Sequence, residues 1–140
     1  MSYNPLKILG FCREIYQNSR NLDLETVSRI TVSRTYYSAF LHSREYLKEK
    51  HNVQFSGRGE DHLRVERQLK APPVRQRLLS SMIREMKENR NAADYDLSNP
   101  ATAISHVTPL YYKHRKIKFD RALQANSIRY AEYITNSLRR

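Results

Sequence analysis

The chain is short of the residues that break a fold or staple it. Of its 140 residues only 3 are Gly and 5 are Pro, which argues against a loop-rich β sandwich and against a collagen-like repeat. A single cysteine, Cys12, excludes an intramolecular disulfide and a cysteine-rich zinc site. No apolar run approaches the ~18 residues of a transmembrane helix. The N-terminus lacks the basic segment, apolar stretch and small-residue cleavage site of a secretory signal. These absences lead us to expect a cytoplasmic protein with no membrane association. Acidic residues are also scarce, with 14 Asp and Glu against 25 Lys and Arg, a net charge of +11.

What is present fits one helical domain over residues 1–140, long enough to bury a core. Hydrophobic residues make up 39% of the chain, too many for a disordered one. The charge predicts attraction to a polyanion, either a nucleic acid or an acidic protein partner. Arg supplies 17 of the 25 cations, and its planar fork suits phosphate better than the Lys ammonium does. Excess charge also serves solubility alone, so it identifies a class of partner and no chemistry.

Helical spacing with few breakers predicts helices over residues 5–16, 23–50, 60–69, 73–91 and 115–138. Asp23 is the expected N-cap of the second. Its apolar stripe is Val27, Ile30, Tyr37, Phe40, Leu41 and Leu47. The fourth turns Leu78, Leu79, Met82, Ile83 and Met86 inward, and the fifth Phe119, Leu123, Tyr130, Ala131, Ile134 and Leu138. No alternating strand pattern is visible, and residues 99–114 read as an irregular insertion. The expected fold is an all-α up-and-down bundle of four to five helices.

Two arginines interrupt these stripes. Arg34 lies seven residues from both Val27 and Leu41. Arg90 follows Met86 by four and Ile83 by seven. A guanidinium placed inward is costly unless it is paired or faces an anion. It can be paired by an internal carboxylate such as Asp94 or Asp96, or it can snorkel from the core edge.

The segments Ser33-Arg34-Thr35-Tyr36-Tyr37-Ser38-Ala39-Phe40 and Arg90-Asn91-Ala92-Ala93-Asp94-Tyr95-Asp96 together resemble a HEPN domain (higher eukaryotes and prokaryotes nucleotide-binding). The likeness is to its small stand-alone prokaryotic branch and runs from the first helix to about Ser98. The resemblance implies a dimer. It also implies metal-independent endoribonuclease activity in toxin–antitoxin or phage-defence systems, without a cofactor. In that family an Arg, a polar residue and a downstream His from two copies build one composite site. Arg stabilises the pentacovalent phosphate and His moves protons, so that the RNA 2′-OH attacks the adjacent phosphodiester and leaves a 2′,3′-cyclic phosphate. Carried over, Arg90 takes the Arg position and Asn91 the polar one. Tyr95 stands where the His is expected, and no His occurs between His62 and His106. Asp94 or Tyr95 is then left to complete the site, unless the Asp94-Tyr95-Asp96 run only pairs with Arg34 or Arg90. Related toxins carry a Tyr beyond the His that a nucleotidyltransferase partner adenylylates, and Tyr95 is the nearest phenol here.

The remaining candidates are simpler. His42 reads as a solvated helix residue, and His51 and His62 as surface histidines flanking the Gly57–Gly59 loop. Neither His106 nor His114 suggests a role. Tyr36 and Tyr37 are able to stack on bases, although Tyr37 falls in the apolar stripe. Cys12 reads as a small buried apolar residue. The strongest basic patch surrounds Lys113, Arg115, Lys116 and Lys118, in a stretch from Tyr111 to Arg140 holding eight basic and two acidic residues. With Arg34, these form the expected RNA contacts. Two function classes remain open: the endoribonuclease, and a non-catalytic module that binds RNA or a nucleotide, or docks to a nucleotidyltransferase or effector. An acidic antitoxin partner fits the first.

Overall fold

The computed structural model describes residues 4–95, 110–112 and 115–139. Five helices occur among them: α1 (Leu6–Asn18), α2 (Leu24–His51), α3 (Asp61–Lys70), α4 (Arg77–Tyr95) and α5 (Arg121–Ser137). The 28-residue α2 is the axis of the bundle and packs against each of the other four helices. At 1.5 Å per residue it is about 42 Å long. None of the five helices is long and apolar enough to cross a membrane.

Asp23 caps α2 as expected, its carboxylate accepting from Thr26 N at 3.2 Å. The helix stops at Asn52, which takes the left-handed conformation (φ 53°) that Asn tolerates. Asp120 caps α5 through Leu123 N at 2.9 Å. That cap puts the start of the last helix at Arg121, six residues later than the spacing predicts. The displaced residues are a strand instead. Leu110–Tyr112 (β1) and Arg115–Ile117 (β2) pair antiparallel, with Leu110 opposite Ile117 and Tyr112 opposite Arg115. Three-residue strands are too short to show a period of two. The hairpin falls partly within the stretch read as an insertion, the rest of which lies outside the described residues.

The core joins Leu9 and Cys12 of α1, Tyr36, Ala39, Phe40 and Leu47 of α2, Val65 and Leu69 of α3, Leu79, Ile83 and Met86 of α4, and Ile128, Ala131 and Ile134 of α5. A smaller cluster of Val32, Ala92, Ala93, Ile117 and Phe119 lies beneath the hairpin. Three expectations fail here. Ile30 and Leu78, expected inward, are 48% and 59% exposed. His42, expected in solvent, is buried with Nε2 2.5 Å from the Leu138 carbonyl. The physical reason is common to Ile30 and His42. With neighbours on several sides, α2 buries Ser28, Thr31, Ser33, Thr35, Ser38 and Ser43 beside its apolar residues. These small side chains admit close backbones, and several reach across to them. Ser28 donates to the Asp120 carbonyl (3.1 Å), Ser38 to the Pro5 carbonyl (2.9 Å), and Gln124 Nε2 to the Thr31 hydroxyl (3.0 Å).

Candidate functional site

The C-terminal half of α4 is held in place by Arg29 of α2. Its guanidinium donates to the carbonyls of Ala92 (3.1 Å) and Ala93 (3.0 Å), pairs with Glu25 at 3.1 Å, and lies 4.5 Å over the Phe119 ring. A cation on the last carbonyls of a helix is favourable both as hydrogen bonding and against the helix dipole. It fixes the turn from which Arg90 projects.

Arg90 points into the bundle and is 7% exposed. Its guanidinium sits 5.2 Å from the Tyr36 ring, 5.3 Å from Tyr37 and 5.8 Å from Tyr95. It donates to the Tyr95 hydroxyl at 3.3 Å. Its Nε is buried without a partner. No carboxylate among the described residues forms an ion pair with it. Three cation–π contacts at ~0.5–2 kcal/mol each stand against a desolvation cost of several kcal/mol for a buried cation. Among the described residues the cation has no anion partner.

The Tyr36 ring, itself fully buried, also carries a histidine. His62 of α3 places Nδ1 2.5 Å from the Tyr36 hydroxyl and stacks on Phe40 at 4.1 Å between ring centroids. It is half-buried, and Nε2 makes no hydrogen bond among the described residues. Burial, then the Arg90 and Lys87 charges, hold its pKa below the ordinary imidazole value, outweighing Asp61 and Glu66. The ring is therefore neutral at pH 7. Burial likewise raises the Tyr36 phenol, so it remains protonated. In the tautomer that carries its proton on Nδ1 and donates it to the Tyr36 oxygen, Nε2 has a free lone pair; in the other, Tyr36 donates to Nδ1 and Nε2 carries the proton.

The expectation of a surface His62 is thus corrected. The signal was in the sequence: residues 62, 65, 66 and 69 recur at helical spacing, and Val65, Glu66 and Leu69 are all buried. What the sequence did not reveal is that α3 packs on α4 and so carries His62 to Arg90, 28 positions away.

The other candidates are less closely joined. Asp94 is exposed and accepts from the Ser33 hydroxyl at 3.1 Å. It forms no ion pair with Arg34 or Arg90, and Asp96 lies outside the described residues. Asn91 is half-buried without a side-chain hydrogen bond among the described residues. Arg34, expected in the apolar stripe, is exposed and lies 5.8 Å over the Tyr37 ring. The drift of ~20° per heptad does not remove it from that stripe, since Leu41 one heptad on still packs against the core; Arg34 and Ile30 face an open cleft instead of a neighbouring helix. Arg34 and Asp94 both line an open cleft of about 530 Å³ with Ser33 and Tyr37.

On the hairpin, Arg115 belongs to β2 and not to a helix. It pairs with Glu88 at 2.9 Å and Glu85 at 3.6 Å. Lys116 and Lys118 are exposed, and Lys113 lies outside the described residues. Burial pushes the Cys12 thiol up to about 11, which suits a packing residue and not a nucleophile. Among the described residues no three of His, Cys, Asp and Glu gather as a metal site.

Compared with protein-family models, with curated proteins and with solved structures, the chain finds no match. Its function is argued from this site and from the resemblance of its two motifs.

Proposed function

We propose that this protein acts on RNA as a metal-independent endoribonuclease of the toxin or phage-defence type, with His62 serving as the base that the α4 motif lacks. The observation that carries this reading is a buried Arg90, without a paired carboxylate among the described residues, beside a neutral imidazole on the same aromatic wall. Arg90 holds the scissile phosphate and meets the charge that grows on it in the transition state. In its Nδ1–H tautomer, His62 takes the proton of the 2′-OH on Nε2. The 2′ oxygen forms a bond to phosphorus as the bond to the 5′ oxygen breaks. The departing oxygen takes a proton from water at the open edge of the site. The products are a 2′,3′-cyclic phosphate and a 5′-hydroxyl end. Asn91, Asp94 and Tyr95 flank this pair on α4, and Tyr95 positions the guanidinium through its hydroxyl.

The working unit in this reading is a homodimer, checked by light scattering on the purified protein. Tyr95 is 72% exposed, so a nucleotidyltransferase partner would find its phenol within reach.

A second reading is a non-catalytic module that holds RNA or a nucleotide. What favours it is the depth of Arg90, which leaves little of the guanidinium open in a single copy. RNA cleavage in excess EDTA, with product ends analysed, separates the two. Under the first reading wild-type protein cleaves, and Arg90→Ala and His62→Gln lose at least about 100-fold, the usual scale for one acid–base group. Cleavage intact in His62→Gln removes His62 from the mechanism. Salt-sensitive RNA binding without cleavage selects the second reading, and neither activity ends both.

A further inference from the structure

We infer that the basic cleft between α3 and α4 holds the phosphate backbone of single-stranded RNA and leads it into the site of Arg90 and His62. This deepens the function proposed above and rests on it.

The cleft has a volume of about 520 Å³ and is lined by Arg67 and Lys70 of α3, Arg77 and Arg84 of α4, and the hydroxyl residues Ser80 and Ser81. It has no carboxylate in its lining. Arg67, Lys70 and Arg77 are exposed and form no ion pair among the described residues. Arg84 pairs with Glu66 at 3.2 Å while remaining 56% exposed. Glu66 is 1% exposed and also takes Lys87 at 2.5 Å. Its charge is therefore spent on two cations at the floor and does not face the cleft. Ser80 is committed to the Glu66 carbonyl at 2.7 Å, which leaves the exposed Ser81 hydroxyl as the neutral donor.

The same residues set the direction. On α3, His62 lies one turn beyond Glu66. On α4, Arg90 lies one turn beyond Lys87. Both Lys87 and Arg90 act on the His62 imidazole. Glu66 and Lys87 thus stand between the cleft and the candidate site, one turn from each along α3 and α4. From Lys70 to His62 is eight residues, about 12 Å along the helix. No aromatic ring lines the cleft, so it offers bases nothing to stack on and reads charge alone. A duplex fixes its 2′ oxygens out of line with the adjacent phosphodiester, so the occupant that His62 can serve is a single strand.

The test is fluorescence anisotropy with a labelled 12-nucleotide single-stranded RNA, titrated at several KCl concentrations. Arg67→Ala, Lys70→Ala and Arg77→Ala, singly and combined, are compared with wild type and with Arg129→Ala as a surface control. Each cation removed should lower the log–log salt slope by about 0.7, so the triple variant loses about 2. The Arg129→Ala slope should not change, and an RNA duplex of equal length should bind more weakly. An unchanged slope in the triple variant overturns the inference. So does loss of binding in Lys116→Ala/Lys118→Ala with the cleft variants intact, or a duplex that binds more tightly. Wild-type protein that binds no RNA overturns it too. Because the readout is binding, a protein that binds through the cleft but does not cleave fails only the nuclease reading.

Discussion

The guanidinium of Arg90 lies 5.2 Å from the centre of the Tyr36 ring, and that ring's hydroxyl also bonds the imidazole of His62. One buried phenol thereby holds a cation and a base in fixed relation, with no carboxylate paired to the cation among the described residues. The first two predictions below follow from that relation.

Arg90→Met should separate stability from function. The side chain keeps most of its volume and sheds a buried charge that no carboxylate among the described residues balances. Replacing a buried charge with an apolar group of similar size is often neutral or stabilising. Urea unfolding should place the variant within about 1 kcal/mol of wild type or above it, while RNA cleavage is lost. A loss beyond about 2 kcal/mol would mean that the three aromatic rings compensate the charge in full.

His62 should give the fold a pH dependence. Its imidazole is held below the ordinary value by burial, Arg90 and Lys87. The unfolded chain therefore binds the proton more readily than the folded one. Stability from this group is complete above about pH 6.5, the unperturbed histidine value, and declines as pH falls through the window beneath it. NMR titration of the His62 ring should give a midpoint below 6.5, moving upward in Arg90→Met as a like charge is removed. A midpoint unmoved by that substitution would disprove the coupling.

Asp61 should matter most in acid. Its carboxylate accepts from Ser56 N and the Ser56 hydroxyl, both at 2.9 Å, and from Gly57 N at 2.7 Å. Burial alone would raise its pKa. Those hydrogen bonds, from Ser56 and then Gly57, with the Arg44 charge, prevail and hold it below the usual carboxylate range. The contribution is present above about pH 4 and is lost as pH falls through the depressed value. Asp61→Asn should cost about 1–3 kcal/mol at pH 7. The difference from wild type should shrink by pH 2–3, measured by urea unfolding at both.

Glu66→Gln should weaken the bundle and leave the cleft more positive. The carboxylate is buried, but Arg84 remains 56% exposed, so solvent screens part of the loss. We expect a cost of about 2–3 kcal/mol, below the ~3–5 of a fully buried pair. RNA affinity at low salt should rise in the same variant. A fall in affinity with the fold intact would assign Glu66 a role in shaping the cleft.

Much of the helical frame was legible because it rests on local chemistry. Asp23 announces the start of α2, and three of the five helices fall within two residues of their expected spans, while α4 is displaced by four residues at each end. Errors arise where tertiary packing decides. Ile30 looks apolar and faces outward, whereas Ser28, Thr31 and Ser38 look polar and lie inside, because neighbours approach α2 from several sides. The site was half legible. Arg90 was visible as a cation in an apolar stripe, but its companion His62 arrives through the packing of α3 on α4, which no local pattern encodes. Asp120 marks the true start of α5, and the preceding strands are too short to show their period.

The hydroxyl residues of α2 carry a warning for anyone who wishes to label this molecule. A probe chemist scanning the sequence would choose Ser28, Ser38 or Ser43 as harmless points for a cysteine-linked dye, since they look like surface positions. Each is closed in by neighbouring parts of the bundle, and all three have no measurable exposure. A dye there would force helices apart, and its signal would report the damage. The exposed Arg20, on the turn between α1 and α2, is a safer attachment point that leaves the bundle closed.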